Sequence, residues 1–179
     1  MSSKLEIDYQ IKNVSKGFIF ALAICEKKKW LALGQSDGSV SLYNYKSKVL
    51  VSTFLNMHNG MIWAICLDSN GMFLFSAGDD NAIHAIDLDQ CKIISSDNSS
   101  HSDSINCLAL NRDGTLLVSG SDDQTLCLFE IQKGQLKKKN GLPLHSEAIC
   151  VDIEKYSNFI AVGYDDAISV HDLHKMKLK

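Results

Sequence analysis

Two groups of side chains in this 179-residue sequence have the types and spacing of an acid–base relay: His58, Ser76 and Asp80, then His101, Ser119 and Asp123. A hydroxyl, an imidazole and a carboxylate in line are a nucleophile, its base and the group that orients the base. Hydrolysis is therefore the first chemistry to weigh. Against it stands repetition. A nucleophile is needed once, on an exposed turn beside oxyanion donors, whereas this set recurs at the same interval. A third pair, His145 and Asp166, keeps the frame with Val162 in the serine position, and Asp37 keeps it with Ser15 in the histidine position. Groups that recur with a repeat hold the repeat together, so no catalytic residue is expected and a hydrolase using a His/Asp site is the weakest reading. The histidines fall in separate repeats with aspartate partners of their own, which argues against a shared metal, and no cofactor motif is present. The six cysteines (Cys25, Cys66, Cys91, Cys107, Cys127 and Cys150) form no C-x-x-C pair. Free thiols in a reducing intracellular compartment, cytoplasmic or nuclear, are expected.

The elements that must position these groups follow from the same interval. Asp37, Asp80, Asp123 and Asp166 are each 43 residues apart. In SGSDDQTLCLFE, from Ser119 to Glu130, a strand end runs into the polar turn Asp122-Asp123-Gln124 and a second strand resumes at Thr125, the pattern of a hairpin. A period in the low forties is that of a propeller blade of four short strands. The spacing predicts strands at Ile19 to Cys25, Trp30 to Gln35, Ser39 to Tyr45 and Val49 to Leu55 in the first repeat. The second gives Ile62 to Leu67, Met72 to Ser76, Ala82 to Asp87 and Cys91 to Ser95. The third gives Ile105 to Leu110, Leu116 to Ser119 and Thr125 to Ile131, and the fourth Ala148 to Ile153, Phe159 to Val162 and Ile168 to Asp172. Lys27-Lys28-Lys29 and Lys137-Lys138-Lys139 are expected at turns. Leu5 to Lys12 alternates as an orphan strand.

This arrangement resembles the WD-repeat β-propeller family over nearly the whole length. The signature dipeptide is degenerate: Tyr43-Asn44, Ile86-Asp87, Phe129-Glu130 and His171-Asp172 stand in its place. The resemblance implies an all-β fold of four blades of four antiparallel strands, one domain over 1–179 with repeats at 15–57, 58–100, 101–144 and 145–179. It also implies that His58, Ser76 and Asp80, His101, Ser119 and Asp123, His145 and Asp166, and Asp37 form a structural hydrogen-bond network. Strand 5–12 would complete the last blade in cis or in trans. Four blades are few for a closed ring, so three outcomes are open: a small ring, an open arc, or a homodimer that completes an eight-bladed ring.

Carried over by resemblance, the top face of the propeller is lined by Phe18, Phe20, Met61, Trp63, Ser104, Asn106, Ala148 and Cys150. Beside them come Ser36, Asp79, Asp122 and Asp165, each immediately before a turn aspartate. Aromatic anchors rimmed by acid suit protein recognition, although Phe18 and Phe20 could equally pack in a core. The implied function is a non-enzymatic interaction scaffold or adaptor that binds other proteins as part of a complex. The alternative is a structural subunit whose open blade edges dock on another propeller. A net charge of -3 offers no electrostatic reason to expect nucleic acid, and no apolar stretch is long enough to span a bilayer as a helix.

Overall fold

Short runs of branched and small apolar residues, each closed by a polar turn, leave this chain no helical period and make it a succession of strands. The computed structural model describes residue 10, residues 17–154 and residues 159–173. The strand expected at Leu5 to Lys12 lies outside the described residues except for Gln10, as do Ser15 and the segment after Leu173.

Four antiparallel sheets follow one another along the chain. The first is β1 (Ile19–Cys25), β2 (Trp30–Gln35), β3 (Val40–Asn44) and β4 (Val49–Phe54). The second is β5 (Ile62–Leu67), β6 (Phe73–Gly78), β7 (Ile83–Asp87) and β8 (Lys92–Asp97). The third is β9 (Ile105–Leu110), β10 (Leu116–Ser121), β11 (Thr125–Gln132) and β12 (Gln135–Pro143), and the fourth has β13 (Cys150–Ile153), β14 (Phe159–Gly163) and β15 (Ile168–Asp172). In each sheet the strands lie in chain order, so every connection within a sheet is a hairpin. One expectation fails: Lys137-Lys138-Lys139 is not a turn but the middle of β12, paired to β11 through Lys138↔Phe129 and Lys137↔Glu130. An outermost strand needs few buried side chains: Leu136 and Leu142 touch the cores, and backbone pairing to β11 carries the lysines between them.

Sheets stack through their first strands, β1 on β5, β5 on β9 and β9 on β13. The core lies in the three seams between them. In the first, Ala21, Ala32, Val40 and Leu42 meet Ile62, Leu74, Ile86 and Leu88. The second joins Phe75, Ala77, Ile83 and Ala85 to Ile105, Leu117, Phe129 and Ile131, and the third joins Val118, Leu126 and Leu128 to Ala148, Ile153 and Ile160. Close packing of two sheets demands small residues on one side of the seam. At Gly34 a β-carbon would stand 2.6 Å from Ile62 Cγ2, so the first seam closes only over a glycine. Among the described residues β1 and β13 share no comparable seam, and the four sheets form an arc with two open ends.

Candidate functional site

The hairpin turns between second and third strands carry the repeated aspartates, and their geometry follows from one short acidic side chain. Asp37, Asp80 and Asp123 each accept the N–H two residues on, from Ser39 (3.1 Å), Ala82 (3.2 Å) and Thr125 (2.9 Å). The residue between takes a left-handed conformation: Gly38 (φ 75°), Asn81 (φ 61°) and Gln124 (φ 60°). Glycine and asparagine suit that region. The turn thereby points the carboxylate back toward the start of its own repeat.

In the second and third sheets a histidine waits there. His58 Nδ1 lies 2.8 Å from Asp80 Oδ1 and its Nε2 2.9 Å from Ser76 Oγ. His101 Nδ1 lies 3.0 Å from Asp123 Oδ2 and its Nε2 2.7 Å from Ser119 Oγ. The same carboxylates accept the backbone N–H after each histidine, from Asn59 and Ser102, both at 2.9 Å. Nδ1–H donating to carboxylate and Nε2 accepting from serine is the tautomer that satisfies every partner. Burial would raise the Asp80 carboxyl, but hydrogen bonds from His58 and Asn59 outweigh it and hold the group below its usual range. Asp123 is likewise held down against burial by Thr125, Ser102 and His101. Burial lowers His101 despite Asp123, so its ring is neutral at pH 7.

The distances are those of a hydrolytic triad, but access is not. Ser76 and Ser119 are fully buried, and neither histidine side chain has any exposure. A hydroxyl sealed in this way cannot meet a substrate carbonyl. What the arrangement does is pin three strand ends together in each sheet.

The fourth sheet departs from this. His145 is exposed and makes no hydrogen bond to Asp166; its ring lies on Tyr164, centroids 4.2 Å apart. Gly163 pairs with Ile168, whereas Gly120 pairs with Leu126, so this turn is one residue shorter. Without that residue the carboxylate is not turned back. Instead Tyr164 Oη bonds Ser169 Oγ, which bonds His171 Nε2, both at 2.7 Å. The 21-residue interval from His145 to Asp166, against 22 elsewhere, is a separate change ahead of β13: Cys150 pairs with Gly163 as Cys107 pairs with Gly120, but stands one residue nearer its histidine. In the first sheet, among the described residues, Asp37 bonds the N–H and hydroxyl of Ser39.

His84 was missed by the repeat pattern. Its ring lies 4.5 Å from that of His58, and ligand atoms of His58, Asp80 and His84 fall within 4.8 Å of one another. Both His58 nitrogens already face Asp80 and Ser76, and His84 Nδ1 faces Ser96 Oγ at 2.7 Å. A metal there would have to break the bonds just described.

The rim residues come together at the sheet edge carrying these turns. Phe18 is 76 % exposed and Phe20 44 %, with ring centroids 6.3 Å apart. Phe20 packs on half-buried Trp63 at 4.7 Å across the first seam. The Trp63 indole donates to Asp79, which also accepts the Met61 N–H (3.1 Å) and, from the third sheet, the Ser104 hydroxyl (3.4 Å). Asn106 is committed to the fold, its amide donating to Asp122 and to the Ala148 carbonyl (3.2 Å). Ser36 accepts the Phe18 N–H (3.0 Å). Ala148 is buried, while Cys150 and Asp165 are exposed.

Consecutive four-stranded sheets, stacked on their first strands and pinned by a recurring turn network, define a propeller-type repeat protein. The family model "WD domain, G-beta repeat" matches residues 48–87 and 92–130, so the chain carries repeats of the WD family. Each match begins on the outermost strand of one sheet, β4 or β8, and ends in the third strand of the next, so a repeat staples two blades. The matched repeats are also the two with the complete His–Ser–Asp set. No curated protein matches the chain.

Proposed function

We propose that this protein is a non-enzymatic interaction scaffold that binds partner proteins through the Phe18–Phe20–Trp63 rim. WD40 repeats generally mediate such scaffolding. The observation that carries the reading is the aromatic cluster itself: large rings, partly exposed, bridging two blades and fixed by the Trp63–Asp79 bond. Rigid aromatics cost little conformational entropy on binding and serve as hot spots. The Asp79 carboxylate on Trp63 favours a partner segment that sets an apolar anchor next to Lys or Arg. The sealed hydroxyls and imidazoles of the turn network support a role without chemistry. Six free cysteines, with the Cys66 and Cys107 thiols pushed up to about 12 by burial, suit an intracellular, reducing compartment.

The test is selection from a displayed random-peptide library on the purified chain. Enriched peptides should pair an aromatic or aliphatic anchor with a basic residue, and should lose at least tenfold in affinity for Trp63→Ala or Phe20→Ala. Peptides that bind those variants as well as the parent would end the rim reading.

A further inference from the structure

The three seams between blades are one interface used three times, with a presenting face on each blade and a receiving face on the next. At equivalent positions the presenting third strand offers Val40 and Leu42, then Ile83 and Ala85, then Leu126 and Leu128, all between 0 and 4 % exposed. The fourth blade carries Ile168 and Val170 there, 81 and 64 % exposed, with Phe159 beside them at 45 %. On the receiving side Ile62 and Ile105 are 0 % exposed, and their equivalent in the first blade, Ile19, is 39 %. Leu22 and Ile24, at the places of Ile65 and Leu67 in the second blade, are 64 and 66 % exposed. The arc therefore ends in two apolar faces, and each is the missing half of the other.

We propose that these ends join between two copies of this chain: the Ile168–Val170 face of one protomer docks on the Leu22–Ile24 face of its partner, and the reverse contact closes the pair. The occupant is a second copy because the chain already shows, three times over, that its presenting face fits its receiving face. A contact between unlike faces closes into a ring or propagates, and two arcs joined at both ends form the closed case. This inference is independent of the rim reading, since neither Leu22 nor Ile168 belongs to the rim. It also assigns Asp152 a cost. Its equivalents on the presenting faces are Ala23, Cys66 and Ala109, so docking would bury its exposed carboxylate against apolar side chains.

Light scattering across a concentration series tests it directly. The parent chain should reach twice 19.8 kDa. Leu22→Glu and Ile168→Glu, each at an exposed position and so compatible with folding, should weaken association more than tenfold. Asp152→Ala should strengthen it, a gain that misfolding cannot mimic. A parent that stays at one chain mass throughout, or a dimer indifferent to both glutamate variants, overturns the proposal. Mass that climbs without a plateau overturns the closed pair.

Discussion

The carboxylate of Asp123 accepts hydrogen bonds from the His101 ring, the Ser102 N–H, and both the N–H and hydroxyl of Thr125. Removing it strands buried donors, and an unmet buried donor costs more than a bond contributes. Asp123→Ala should therefore lower unfolding free energy by about 1–3 kcal/mol, read from urea denaturation; an unchanged midpoint would refute the structural role. The same groups set a pH dependence. His84 and His101 have folded values below the ordinary 6.5, lowered chiefly by burial, so the unfolded chain binds more protons and stability falls as pH drops through about 6.5. Asp80 and Asp123, held below 3.8, add stability that is present above that value and lost as pH falls through their folded values. Urea midpoints should thus decline from pH 7.5 to 5.5, and His84→Ser, which places the residue found at equivalent position 41, should flatten that decline. The relay was legible in sequence because spacing within a hairpin repeat fixes which side chains meet. His84 was not legible, since it stands once and its contact with His58 depends on packing, not period.

Turns and strands carry the next level. Gly38 sits at φ 75°, and a β-carbon there would lie 2.1 Å from the His58 carbonyl oxygen; at Gly114, φ 74°, the nearest atom is Asp68 Cβ at 3.8 Å. Both positions strain an L-residue by about 1 kcal/mol, but only Gly38 adds a collision with backbone. Gly38→Ala should cost clearly more than Gly114→Ala in thermal unfolding, and equal costs would mean that the first turn can move away from the second sheet. The contrast also shows why some elements were readable and one was not. The bounds of β1, β2, β5, β9 and β15 agree with the expected ones because each is a largely apolar run set off by polar turn residues. Gln135 to Pro143 shows no such alternation and exposes Lys137, Lys138 and Lys139. Pairing with β11 makes it a strand, and Glu130–Lys139 at 2.7 Å lies along that pairing. Only Leu136 and Leu142 of this strand touch the cores, too few apolar positions to show a period, so side-chain pattern alone did not reveal it.

At the scale of the whole molecule, stability must be unequal along the arc. A repeat array draws its stability from each unit and from the seams on either side. Among the described residues the second and third blades have two seams each, whereas the first and fourth have one. The fourth has also lost the His–Asp bond with its shortened turn, and its β14 and β15 expose Phe159, Ile168 and Val170. Amide exchange should therefore be slowest in β6, β7, β10 and β11 and fastest in β13 to β15, with opening confined to the terminal blades rather than global. Measured under dilute conditions, where association is absent, the gradient should be steepest. Raising protein concentration should slow exchange in β1 and β13 to β15 while leaving the central sheets unchanged, because only the open ends gain a seam. Uniform exchange across all four sheets at low concentration would mean that the arc unfolds as one unit, and that the missing seams contribute little.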